Sequence, residues 1–110
     1  MVVGWKLIER RITPLTGYWN ARLFLRDGTE LYVTEYVVLE KEIVKSRYKY
    51  HWQDKDGSLI ARWDNVPHHP EVSTFPHHRH VKDKVQESKE MDLGDILDLI
   101  REGREWTALE

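Results

Sequence analysis

The sequence lacks cysteine, a basic excess and any long apolar segment, and each absence narrows the classes of function. Without cysteine, the 110 residues form neither disulfides nor thiolate sites. The formal net charge of −2 is not that of a simple nucleic-acid-binding protein, although it does not exclude a local basic face. No apolar run is long enough to span a membrane, and residues 1–6 lack a signal-peptide pattern. We therefore expect a cytoplasmic protein without membrane contact.

The composition is that of a folded domain. Hydrophobic residues make up 40% of the chain and charged residues 33%, so global disorder is not expected. A chain of 110 residues can bury enough apolar surface for one modest core. We therefore predict a single domain over residues 1–110.

Alternating apolar and polar residues between positions 4 and 65 predict an antiparallel meander of about five strands. The dipeptide Asp27-Gly28 lies between two such segments and is a strong hairpin signal. A two-residue turn at this point would set Leu23 opposite Tyr32 on the returning strand.

A second hairpin is predicted around residues 54–57, where Asp-Lys-Asp-Gly separates two further strands. A four-residue turn would set Tyr50 opposite Ala61 and would place Arg47 beside Asp64 as a cross-strand ion pair. One face of this hairpin is then continuously apolar, so we expect it to form the core rather than a surface for stacking bases. Its aromatic members are Tyr48, Tyr50, Trp52 and Trp63.

The remainder of the chain predicts a loop, a linker and a helix. Residues 66–81 form a loop rich in histidine and proline, and residues 82–91 a charged linker. Asp92 is a suitable N-cap for a helix over residues 92–103, which ends at Gly103. An apolar stripe predicts that this helix packs on the sheet, which gives an α+β fold. The stripe consists of Leu93, Ile96, Leu97 and Ile100.

The segment 63–81 contains five of the six histidines and three of the four prolines. Proline stiffens a loop, and histidine is the side chain whose charge changes nearest neutral pH. A rigid loop that presents such groups is a common place for a functional site. The candidate residues are His68, His69, His77, His78 and His80.

Four segments resemble the TumE family, small prokaryotic toxins of toxin-antitoxin pairs. The matching segments are residues 48–54 (YKYHWQD), 62–65 (RWDN), 67–71 (PHHPE) and 74–80 (TFPHHRH). The resemblance implies a toxin whose partner is a small helix-turn-helix antitoxin. Because small toxins with this genetic arrangement often cleave RNA, it also implies, by analogy, a ribonuclease.

The histidine-rich segment suits cleavage of a phosphodiester. One imidazole would take the proton of the 2′-hydroxyl, and another would protonate the leaving 5′-oxygen. Cations must neutralise the charge that grows on the phosphate. The candidates for that role are Arg47, Lys49, Arg62 and Arg79. This chemistry requires no cofactor.

Two alternatives remain open from the sequence. His78 and His80 point the same way on an extended chain, so they could share a divalent transition metal with Glu71 or Asp64. The second alternative is a binding module without catalysis, whose open sheet edge holds the antitoxin or pairs residues 5–10 with a second copy.

Overall fold

The computed structural model describes residues 1–103, which form one antiparallel sheet of seven strands and a C-terminal helix. The strands lie side by side in chain order, as in a simple meander. Their bounds are β1 Val2–Ile12, β2 Thr16–Leu25, β3 Glu30–Leu39, β4 Ile43–Gln53, β5 Leu59–Asp64, β6 His78–Val81 and β7 Lys84–Glu87, and the helix α1 spans Leu93–Glu102. The predicted α+β class is therefore confirmed, with seven strands rather than about five.

The two additional strands lie where a loop and a linker were predicted. β6 occupies the end of the predicted loop 66–81, and β7 lies inside the predicted linker 82–91, so both of those assignments were wrong in part. A tight turn at Lys82, which has a φ of 54°, joins the two strands. In the described part of the chain β7 lies at one edge of the sheet and pairs with β6 alone, which is why a segment this rich in charged residues can still form a strand.

The sheet has two faces of different character, because successive side chains of a strand point to opposite sides. The face that α1 covers, here called the helix face, carries the buried core, and its central members are Leu31, Val33, Tyr48, Tyr50, Trp52, Ala61, Trp63, Ile96 and Ile100. The other face, here called the open face, carries polar and basic side chains. The prediction that the aromatic residues of the second hairpin form the core is confirmed.

The strand register differs from the prediction in both hairpins. Leu25 N donates to Thr29 O, so the first turn has three residues, and Leu23 lies opposite Leu31 rather than Tyr32. Gly28, with a φ of 91°, permits this longer turn. In the second hairpin Asp54 N donates to Ser58 O, so the turn has three residues, and a bulge at Ile60 of β5 adds a second one-residue shift. The two shifts add to two positions, which preserves the two faces but changes the opposite residues, so Tyr50 lies opposite Trp63 and not Ala61.

The helix α1 begins and ends where the sequence predicted. Asp92 accepts a hydrogen bond from Asp95 N at 2.8 Å, and the Asp95 carboxylate accepts one from Asp92 N, which completes a capping box. Gly103, with a φ of 72°, is the C-cap. The apolar stripe packs against the sheet, with Ile96 and Ile100 buried. Within residues 1–103, no helix is long and apolar enough to cross a membrane.

A buried polar group lies within the core. The Tyr50 hydroxyl donates to Glu35 Oε2 at 2.5 Å and accepts from Lys45 Nζ at 2.9 Å. Lys45 also donates to Met91 O at 2.6 Å, just before α1. This network joins β3 and β4 to the segment that leads into the helix. Burial together with the Glu35 carboxylate raises the pKa of Tyr50, so its hydroxyl keeps its proton.

Candidate functional site

Three polar side chains lie together on the open face where β5 and β6 pair. Asp64 at the end of β5 lies directly opposite His78 at the start of β6, and Arg62 lies opposite His80. Because side chains alternate along each strand, Asp64, His78 and His80 point to one face. Trp63 and Arg79 point to the other face. The strand pairing therefore brings together a carboxylate and two imidazoles that are 14 and 16 positions apart in sequence.

The loop between these strands brings two more histidines to the same place. Val66 N donates to Asp64 Oδ1 at 3.0 Å, which turns the chain immediately after β5. His69 has a φ of 60°, in the left-handed region, and its ring centroid lies 5.4 Å from that of His78 and 5.6 Å from that of His80. His68 lies beside His69, with ring centroids 6.2 Å apart. Four of the five predicted histidines therefore converge.

These groups line a cavity of about 290 Å³. Its lining residues are Lys49, Arg62, Asp64, Val66, His68, His69, His78 and His80. His68 and Lys49 are exposed at its mouth, whereas Asp64 and His78 are buried at its base. The cavity thus combines four imidazoles, one carboxylate and two cations in a space that solvent reaches.

Asp64 is the centre of this arrangement. Its Oδ1 lies 3.1 Å from His78 Nε2, and its Oδ2 lies 3.3 Å from Arg62 Nε and 3.7 Å from His80 Nε2. The residue is only 3% exposed, so its charge is compensated by these neighbours rather than by bulk water.

Hydrogen bonds set the orientation of two imidazoles. His78 Nδ1 lies 2.8 Å from the carbonyl oxygen of Pro76. Because a carbonyl oxygen only accepts, Nδ1 carries the proton and Nε2 is the atom that faces Asp64. His69 Nδ1 lies 3.2 Å from Glu71 Oε1, which orients that ring in the same way. Both rings are therefore held with Nδ1 toward the protein.

His80 differs from a solvated histidine in its protonation. Burial, followed by the positive charge of Arg62, lowers the pKa of His80 to about 4, against the raising effect of Asp64. The ring is therefore neutral near neutral pH, and one of its nitrogens keeps a free lone pair.

His77 lies apart from the cavity. Its Nδ1 is 2.8 Å from the Tyr48 hydroxyl, and the two rings stack with centroids 5.8 Å apart. Its Nε2 is 4.0 Å from Glu90 Oε1. Because Tyr48 belongs to the helix face, His77 lies on the opposite side of the sheet from its neighbour His78.

Of the four candidate cations, two lie in the cavity and two lie outside it. Lys49 and Arg62 line the cavity, whereas Arg79 lies on the helix face and donates to Gln86 Oε1 at 2.8 Å. Arg47 Nη1 donates to Asn65 O at 3.3 Å, outside the cavity. The predicted pairing of Arg47 with Asp64 is wrong, because the three-residue turn and the bulge in β5 set Asp64 opposite Lys49, and its carboxylate faces Arg62.

Comparison with protein families gives a match that covers nearly the whole sequence. The model of the toxin TumE family matches residues 1–106. The chain belongs to the TumE toxin family. Comparison with curated proteins and with solved structures finds no match in either set. Membership in a toxin family implies an antitoxin as partner, in agreement with the resemblance seen in the sequence.

The catalytic site predicted from the sequence did not include Asp64, the central residue of this TumE-family cavity. In the sequence it was a candidate metal ligand or the partner of Arg47, and its contacts with His78 and His80 arise only from the pairing of β5 with β6. One sequence signal was available: Asp64 shares the strand phase of Arg62 and lies at the start of the histidine-rich segment 63–81.

Proposed function

We propose that this member of the TumE family is a toxin that cleaves RNA, and that the cavity between β5, β6 and the loop 65–77 is its active site. The observation that carries the proposal is the convergence of four imidazoles with Lys49 and Arg62 in a cavity open to solvent. Proton transfer groups and cations are the two requirements of phosphodiester cleavage, and both are present in one place.

The cavity supports a reaction by internal attack. The 2′-oxygen attacks the adjacent phosphorus while one imidazole takes its proton, and the bond from phosphorus to the 5′-oxygen breaks as a second imidazole protonates that oxygen. The products are a 2′,3′-cyclic phosphate and a 5′-hydroxyl. His68 and His69 at the mouth are the side chains placed to exchange protons with a substrate. Lys49 and Arg62 stabilise the charge on the phosphate.

The open face beside the cavity offers a path for single-stranded RNA. Tyr32 contacts His51 edge to face, with ring centroids 6.2 Å apart, and the Arg22 guanidinium lies over the Tyr32 and Phe24 rings. Such aromatic and cationic groups stack unpaired bases and bind phosphates. His51 lies directly opposite Arg62, so this surface leads into the cavity. The aromatic residues of the second hairpin cannot take that role, because the core buries them.

The proposal is tested with a matched pair of lysine variants. Lys49→Ala removes a cation that lines the cavity, whereas Lys55→Ala removes an exposed one in the turn between β4 and β5. Loss of one group that stabilises transition-state charge slows such reactions by about 10²- to 10³-fold. We expect induced wild-type protein and Lys55→Ala to arrest growth and to generate new RNA ends in a bacterial host, and Lys49→Ala to do neither at the same expression level.

The same experiment includes the partner. Co-expression of the antitoxin encoded beside the toxin, expected to be a helix-turn-helix protein, should suppress both growth arrest and new RNA ends. Growth arrest with intact RNA would overturn the ribonuclease proposal while leaving the toxin assignment in place.

A second role is proposed for β1, which is the other edge of the sheet. Within residues 1–103 the outer edge of β1 is unpaired, and this edge together with its exposed apolar side chains suits pairing with a second copy in a twofold dimer. Trp5 is 67% exposed, Ile8 52% and Ile12 70%. Sedimentation equilibrium of the purified protein should show a dimer that Trp5→Lys and Ile12→Lys dissociate; a monomer at every concentration would contradict this role.

A further inference from the structure

We propose that Asp64, His78 and His80 bind one divalent first-row transition metal, with zinc as the principal candidate. The potential ligand atoms of these three residues lie within 4.8 Å of one another. His78 Nε2 is 3.1 Å from Asp64 Oδ1, and His80 Nε2 is 3.7 Å from Asp64 Oδ2. Ligands held 2.0–2.1 Å from a tetrahedral zinc lie roughly 3.3 Å apart, so small movements would bring these atoms to ligand distance.

The hydrogen bond of His78 prepares that ring for a metal. Its Nδ1 donates to the carbonyl oxygen of Pro76, so Nε2 is the nitrogen turned toward the carboxylate. Metal-binding histidines usually donate their second nitrogen to a carbonyl or a carboxylate, which fixes the tautomer and the ring plane. Asp64 and His78 are 3% and 2% exposed, so both are already positioned by the surrounding protein.

The ligand chemistry distinguishes the class of metal. Two imidazoles and one carboxylate suit zinc and its neighbours, whereas magnesium and calcium prefer oxygen ligands alone. Three protein ligands also leave coordination positions open toward the cavity. His69, whose ring lies 5.4 Å and 5.6 Å from those of His78 and His80, is not a member of this group and stays available for the proposed proton transfer.

A metal at this point also accounts for the concentration of imidazoles around one buried carboxylate. The simpler alternative is an ion pair between a charged His78 and Asp64, which explains one histidine of the group but not the approach of His80 and His69. The role of the metal in catalysis, as a Lewis acid for a phosphate oxygen beside Lys49 and Arg62, rests on the proposed function. Binding of the metal does not.

The test is a titration of the full chain without an affinity tag. After removal of metals by a chelator and dialysis, Zn²⁺ binding is measured by calorimetry and Co²⁺ binding by visible absorption. We expect one equivalent to bind, with no competition from Mg²⁺ or Ca²⁺. His80→Asn should weaken binding by more than about 100-fold, since loss of an outer hydrogen-bond partner alone weakens metal binding by 10- to 100-fold.

His77→Asn is the matched control, because His77 lies outside the cavity and should leave binding unchanged. Failure of wild-type protein to bind, or equal binding by wild type and His80→Asn, would overturn the proposal. X-ray absorption of the zinc-loaded wild type provides a test that needs no folded variant. Two imidazole ligands are expected, and fewer than two would exclude this site. RNA cleavage is measured separately, so metal binding without cleavage would count against the ribonuclease alone.

Discussion

Two histidines that look alike in the sequence should differ completely in what their replacement does. His69 lines the cavity, whereas His77 stacks on Tyr48 on the other side of the sheet. His69→Asn removes an imidazole from the cavity, and His77→Asn removes one from the stack with Tyr48. The prediction is that His69→Asn loses RNA cleavage and keeps its stability, and that His77→Asn loses stability and keeps its cleavage activity.

The expected changes in stability and in cleavage rate follow from the contacts of each ring. The ion pair of His69 is with Glu71, whose side chain is 65% exposed, and such a contact contributes less than about 1 kcal/mol. Its φ of 60° suits asparagine, which adopts the left-handed region more readily than most residues. The free energy of unfolding should therefore change by less than about 1 kcal/mol. Loss of a proton-transfer group should slow cleavage by about 10²- to 10⁴-fold.

His77→Asn removes a 2.8 Å hydrogen bond to the Tyr48 hydroxyl and a stacked ring contact, so it should lower the free energy of unfolding by about 1–2 kcal/mol. Urea unfolding followed by tryptophan fluorescence gives the stabilities, and single-turnover cleavage of a labelled RNA gives the rates. A folded His69→Asn protein with the wild-type rate would refute the assignment of the cavity, as would equal losses of rate in the two variants.

Two further substitutions separate stability from activity. His78→Ala should lower the free energy of unfolding, measured by urea titration, by about 3 kcal/mol. It opens a cavity at a side chain that is 2% exposed, and it leaves Pro76 O and Asp64 without that partner. A change below about 1 kcal/mol would show that the ring is not held as described. Tyr50→Phe should cost about 1–3 kcal/mol, because it removes the hydroxyl between Glu35 and Lys45, and RNA cleavage at a temperature where the variant is folded should stay at the wild-type rate.

The local features of the fold are predictable from the sequence. The α1 helix has an acidic N-cap, an apolar stripe and a terminal glycine, and all of these signals act within a few residues. The two faces of β4 also follow from the alternation of its side chains, which a bulge in the neighbouring strand does not change. The pairing of Tyr50 with Trp63 does not follow, because the length of the turn and one bulged residue in β5 shift every opposite pair without changing the pattern along either strand.

The site was less predictable because its strand is short and its partner is distant. β6 has four residues, and two of them are histidines, so neither length nor hydrophobicity marks it as a strand. Its pairing with β5 decides which neighbours in sequence become neighbours in space. Recognition of that strand would have separated His77 and Arg79 from His78 and His80 by alternation alone, and it would have placed Asp64 among them.

The proposed activity depends on activation of the 2′-hydroxyl of RNA by imidazoles in this cavity. Its most direct test compares one RNA oligonucleotide with the same sequence carrying a single 2′-deoxy nucleotide at the cleaved position. The purified wild-type protein should cut the first to give a 2′,3′-cyclic phosphate and a 5′-hydroxyl, and it should leave the second intact at that position. Cleavage of both at equal rates would contradict the claim.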